Sequence, residues 1–109
     1  MANETQMLKV ILEGCILALL KNGEVYGYKI VESLKSYGFS DVQEATVYPI
    51  LTRLNKKGYL DFEKRPSDLG PPRKYYRLTK LGKNELINFS ISWNDISKNV
   101  DRLFKEKLK

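Results

Sequence analysis

The sequence predicts an α+β fold, mostly helical: a winged helix-turn-helix domain followed by a C-terminal dimerisation helix. Three observations carry that expectation. Within residues 44–57, Val47, Ile50, Leu51 and Leu54 recur at i, i+3, i+4 and i+7, which makes one apolar stripe on a helix. Two short alternating runs, 59–65 and 73–78, flank a stretch rich in turn formers and make a basic hairpin, the wing. Beyond it, Leu86, Phe89, Trp93, Ile96, Val100 and Leu103 step by three and four residues along a last helix. A single small domain does not need so long a seam for its own core.

Taken in order, residues 1–5 lack a pattern and are expected to fray. A first helix is expected over 6–21. Its apolar residues cover more than one face, as in an element with more than one partner, and Asn22-Gly23 supplies a left-handed stop. The second helix is expected from residue 25 or 26 to 37, with Ile30, Val31 and Leu34 in the core and Tyr26 able to join them. Asp41-Val-Gln-Glu44 resembles a capping box for the third helix, which would place Pro49 inside that helix and kink it. A start at Thr46 would instead put Pro49 in the first turn; the earlier start is the preferred one. Gly58 ends the helix, with Lys56 and Lys57 well placed in its last turn.

In the hairpin, Leu60, Phe62, Tyr76 and Leu78 are expected to face inward, and Tyr59, Asp61, Glu63, Arg73, Tyr75 and Arg77 outward, with residues 66–72 as the loop. Thr79 is a good N-cap for the last helix, expected over 80–105. The domain division is 1–78 for the winged part and 79–109 for the last helix.

The chain has 109 residues, which suits one domain with a modest core, and a formal charge of +6. That charge is concentrated. Residues 53–83 hold ten basic and three acidic residues, whereas the rest holds nine and ten. A polyanion is the natural partner of such a stretch, and a membrane surface the weaker one. The chain contains no histidine and one cysteine, Cys15. That excludes histidine acid–base work, Ser-His-Asp triads, a Cys/His zinc site and any internal disulfide, and it fits the reducing cytoplasm. No signal peptide is visible, no stretch is long enough to span a bilayer, and no cofactor or metal is expected.

The third helix presents Ala45, Thr46, Tyr48, Pro49, Thr52, Arg53 and Lys56 opposite its apolar stripe, with no carboxylate after Glu44. Short hydroxyls and an arginine suit base edges, and lysine suits phosphate. Arg53 either reads a base or grips a phosphate. Lys64, Arg65, Arg73 and Lys74 would hold the wing to the nucleic acid, with Tyr26 and Lys29 as further phosphate contacts. Along the seam, Trp93 either fills a dimer core or walls a pocket for a flat hydrophobic or aromatic effector, with Phe89 and Ile96 one turn either side and Leu8, Ile11, Leu12 and Cys15 of helix one as neighbours across the dimer.

The stretches Ile16-Leu-Ala-Leu-Leu20, Tyr26-Gly-Tyr-Lys-Ile30, Ala45-Thr-Val-Tyr-Pro-Ile-Leu-Thr-Arg-Leu54, Lys57-Gly-Tyr-Leu60 and Arg73-Lys-Tyr-Tyr-Arg-Leu-Thr79, with Gly82 following, resemble the PadR family of transcriptional regulators. The single short C-terminal helix is similar to that of the family's compact subgroup. The resemblance implies a winged-helix homodimer joined through its first and last helices. It also implies repression at pseudo-palindromic operators on double-stranded DNA. In drug-responsive compact members an aromatic residue of the last helix lines a cavity between subunits, and Trp93 matches that position. The chain has no second tryptophan in the wing, where some of those members carry one. The competing expectation is a winged-helix module that binds protein without DNA, for which a neutral or acidic wing would be the mark. An enzyme is not expected, since Asp41/Glu44 and Asp61/Glu63 read as a cap and an exposed strand edge.

Overall fold

The computed structural model describes the backbone of residues 2–109 and the side chains of residues 6–109. Met1, part of the segment expected to fray, lies outside the described residues. The order is α1 (Ala2–Leu19), β1 (Val25–Tyr26), α2 (Gly27–Ser36), α3 (Glu44–Lys56), β2 (Leu60–Ser67), β3 (Gly70–Leu78) and α4 (Lys80–Lys107).

The core forms where three helical stripes and the sheet meet. Leu12, Ile16, Leu17 and Leu20 of the α1 segment pack with Ile30, Val31 and Leu34 of α2. Val47, Ile50, Leu51 and Leu54 of α3 close the other side, with Leu60 and Tyr76 from the sheet. The whole α3 stripe is at most 1% exposed, as its spacing requires.

Helix α3 begins later than a cap at Asp41 would allow. Its N-cap is Gln43, without a side-chain cap bond. Val42 is buried and its N–H bonds the Phe39 carbonyl at 3.1 Å, so a turn seats Val42 in the core before the helix can start. Pro49 nevertheless lies within the helix. At the far end Gly58 takes φ +83°, a value that suits glycine, and the Tyr59 N–H bonds the Leu54 carbonyl at 3.0 Å.

The sheet has three strands rather than two, in the order β1-β3-β2, all antiparallel. Strand β1 is the N-terminal edge of what the sequence suggested was helix. Val25 and Tyr26 pair with Tyr76 and Tyr75, and α2 starts only at Gly27. Two residues carry no readable period, and their partners lie fifty positions away. Tyr26 consequently sits on the sheet's outer face against Tyr75, with ring centroids 5.6 Å apart, and does not join the core.

The hairpin is longer than expected, because strand pairing runs through the prolines to Ser67↔Gly70 and leaves a two-residue tip. Pro66 falls at the irregularity between Arg65 and Ser67, where the ladder requires no donor from it. The facing follows the alternation: Phe62 and Tyr76 are opposed inward, and Glu63 and Tyr75 outward.

Thr79 caps α4 as its sequence position suggested, accepting from the Gly82 N–H at 3.0 Å while its hydroxyl donates to the Gly58 carbonyl at 2.6 Å. The helix has 28 residues, about 42 Å at the usual rise. Its first part packs on the domain through Gly82, Leu86 and Phe89, the Phe89 ring lying over Gly14 of α1. Further along, Trp93, Ile96, Val100 and Leu103 are exposed in the single chain.

Candidate nucleic-acid interface

Helix α3 turns Ala45, Pro49, Thr52 and Lys56 outward as one row, with Tyr48 beside them. The Thr52 hydroxyl donates to the Tyr48 carbonyl at 3.1 Å, so its lone pairs face outward as acceptors. Tyr48 lies across the start of α2, close enough to Gly27 that a Cβ there would sit 3.2 Å from its ring. Burial, the Glu44 carboxylate and Tyr28 raise the Tyr48 phenol above its ordinary pKa, so it remains a neutral hydroxyl able to donate.

Between α3 and the wing runs a groove of about 650 Å³ lined by Tyr26, Gly27, Tyr28, Tyr48, Thr52, Arg73, Lys74 and Tyr76, with Ser67, Leu69, Gly70, Pro71 and Pro72 of the wing tip. No carboxylate lines it. The structure thus brings Tyr26, Tyr48, Thr52, Arg73 and Lys74 of the expected set around one cleft. Lys29, Lys56 and Lys64 lie exposed outside it.

The two faces of the wing differ. Lys64 and Lys74 are directly opposite each other, and among the described residues neither has a carboxylate partner. Lys74 Nζ rests 4.7 Å from the Phe62 ring centroid. Like charges opposed on a sheet are destabilising, so this pair favours an external anion. On the other face Arg65 and Arg73 are also opposed, and of the two only Arg65 is ion-paired among the described residues. Arg65 reaches Glu24 at 2.6 Å and Glu63 at 3.0 Å, and Arg73 lies over Tyr26 at 4.7 Å. Arg65, expected to hold the wing to the nucleic acid, is thus ion-paired within the chain while its side chain stays 40% exposed. Arg53 is likewise engaged, its Nε 3.4 Å from Glu13 of α1. Sequence reasoning missed Glu13 and Glu24, because nothing local marks an acid whose partners lie forty positions downstream.

The α1 residues expected to meet Trp93 across a dimer differ in how far this chain already buries them. Gly14 marks the side of α1 that meets α4. Leu12, two residues earlier, is about 200° away around the helix and wholly buried in the core, which removes it from any interface pocket. Cys15 lines a shallow apolar depression with Ala18, Leu19, Leu34, Tyr37 and Phe39 beside the end of α2. Burial raises its thiol pKa. Leu8 and Ile11 are half-buried, and Trp93 is 49% exposed. Among the described residues no cluster suits a metal ion, and no helix is long and apolar enough to cross a membrane.

Comparison with known proteins agrees with this architecture. The profile of the Transcriptional regulator PadR-like family matches residues 16–88. The negative transcriptional regulator PadR of Bacillus subtilis is 31% identical over 99 residues, which are 89% of this chain and 54% of that protein. A crystal structure of a PadR-like transcriptional regulator from Bacillus cereus superposes with a TM-score of 0.80 at 42% identity, covering 91% of this chain and 96% of the other. The structure of Bacillus subtilis PadR in complex with operator DNA gives 0.69 at 32% identity over 74% of this chain and 46% of that one. The matched segment runs from the buried end of α1 through α3 and the wing to the part of α4 that packs on the domain, and on that ground the chain belongs to the PadR-like family of transcriptional regulators, which are not enzymes.

Proposed function

We propose that the chain is a sequence-specific DNA-binding repressor that acts as a homodimer on a pseudo-palindromic operator. The observation that carries this reading is the carboxylate-free groove joining the outer row of α3 to Arg73 and Lys74 of the wing. Its hydroxyls and cations have the chemistry of base edges and phosphates. The operator complex of the Bacillus subtilis relative supports DNA as the partner, and that relative's name supports repression.

Homodimer formation is supported by α4, whose half-exposed seam continues past the domain. Burying it against a second copy would remove a large apolar surface from water. A dimer also sets two reading helices at a fixed separation, which is what a two-half-site operator requires. A flat hydrophobic effector seated at Trp93 and its symmetry mate would change that separation and release the DNA. The test is selection of duplexes from a random pool by the purified protein. An inverted repeat with half-sites about one helical turn apart is expected. Enrichment of no sequence at all would overturn the reading.

A further inference from the structure

The outer face of the wing holds an ion-pair network, Glu24, Glu63, Arg65 and Arg77, that lies outside the groove. Glu24, in the turn before β1, places Oε1 2.6 Å from Arg65 Nη2 and Oε2 3.8 Å from Arg77 Nη1. Glu63, within β2, reaches the same two guanidinium groups at 3.0 and 3.7 Å. Arg65 also covers the Tyr75 ring at 4.6 Å, Tyr75 packs on Tyr26, and Arg73 covers Tyr26 at 4.7 Å. The alternation arginine, tyrosine, tyrosine, arginine crosses all three strands.

Strand β1 leads straight into α2, which packs on α3, while β2 and β3 form the wing. Two residue pairs are the whole ladder between β1 and the wing. So short a ladder fixes an angle poorly by itself, and Glu24 adds a charged tie on its outer side, bridging both wing strands.

Resting on the DNA-binding reading, we propose that Glu24 is a positioning residue that sets the angle between wing and reading helix. Arg65 and Arg77 then serve as its anchors, and the phosphate-gripping cations are Lys64 and Lys74 on the opposite face. The proposal makes a prediction of unusual sign. Removing an acid close to a polyanion site raises affinity on charge alone. If Glu24 holds the wing, neutralising it lowers affinity instead.

The experiment compares the wild type with Glu24→Gln, Glu24→Asp and Arg65→Gln. The probe is a fluorescein-labelled duplex that the wild-type chain enriches from a random-sequence pool. Glu24→Gln should weaken binding a few-fold, the scale of a partly exposed ion-pair network, and Glu24→Asp, which keeps the charge, should retain more affinity than Glu24→Gln. Arg65→Gln should weaken binding while keeping the wild-type salt slope. Tighter or unchanged binding by Glu24→Gln overturns the proposal, as does an Arg65→Gln slope lower by about 0.9, the mark of a lost phosphate contact. Amide exchange on the free proteins supplies a readout independent of DNA. Faster exchange in Glu24→Gln at residues 73–77, with α1 and α3 unchanged, is expected, and unchanged exchange there overturns the tie. If the wild type binds no duplex, the DNA reading fails while the exchange measurement still decides the role of Glu24.

Discussion

Arg53 of the reading helix and Glu13 of α1 form an ion pair, Nε to Oε1 at 3.4 Å, and Lys57 Nζ lies 3.8 Å from the same oxygen. One carboxylate thus steadies two cations at the foot of α3. Because Glu13 takes Nε, the guanidinium's two terminal nitrogens remain for a guanine edge or a phosphate. Arg53→Ala should weaken the selected operator by about 1–3 kcal/mol if it reads a base, and random DNA far less. Equal weakening of both, measured by anisotropy, would assign Arg53 to the backbone. Glu13→Gln should tighten random-sequence binding by freeing both cations.

Lys64 and Lys74 are opposed on one face of the wing, and if they grip phosphates they set its salt dependence. Each phosphate contact contributes about 0.9 to the log–log slope on B-DNA. The double variant Lys64→Ala/Lys74→Ala should therefore lose about 1.8 of slope. A slope equal to wild type would mean that this face does not meet DNA.

Two glycines test the seat of α4. A Cβ at Gly82 would meet the Tyr59 carbonyl oxygen well inside van der Waals contact, and that backbone is held by the Thr79 N–H at 3.1 Å. A Cβ at Gly14 would overlap only the Phe89 ring, which can swing aside. Overpacking costs about 1–3 kcal/mol. Gly82→Ala should fall at the upper end of that range in urea unfolding, and Gly14→Ala at the lower end. The reverse order would show that the wing–helix junction yields more easily than the helix crossing.

Much of this architecture is legible in the sequence because it is periodic or local. The stripe of α3, the inward alternation of Leu60, Phe62, Tyr76 and Leu78, and the Thr79 cap each depend on neighbours a few residues away. The groove's Tyr48, Thr52, Arg73 and Lys74 could be read for the same reason. What escaped is non-local. Strand β1 exists because Tyr75 and Tyr76 reach back to it. Asp41 loses the cap because Val42 is drawn into the core. Leu12 looked like an interface residue until the position of α4 over Gly14 fixed which way α1 is turned.

The thiol of Cys15 is held above its ordinary pKa of 9.0 by burial. The folded state favours the neutral thiol, so its contribution to stability is complete below pH 9.0 and is lost as pH rises through the higher folded value. Alkylation by iodoacetamide should accordingly show a midpoint above 9.0 in the native protein and near it in urea. A native midpoint at or below the unfolded one would contradict the burial.

Trp93 offers an intrinsic probe of the seam. A cavity between two such residues predicts saturable quenching of its fluorescence by planar aromatic molecules, together with weaker operator binding. Trp93→Ala should then abolish the response while the dimer persists. A filled core predicts no quenching and a dimer weakened by about 3–5 kcal/mol in the same variant. Quenching without any loss of DNA affinity would leave a pocket but no inducer.

With Trp93, Ile96, Val100 and Leu103 uncovered, the folded single chain has hydrophobic surface in water along the outer part of α4. If a second copy covers that surface, stability follows mass action, and the melting temperature rises with protein concentration. Dilution would then shed operator occupancy more steeply than simple one-to-one binding, because assembly and binding fail together. If the chain acts as a dimeric repressor, copy number itself becomes a signal: below the dimer's dissociation constant the regulated promoter opens, and above it a small increase in synthesis closes it.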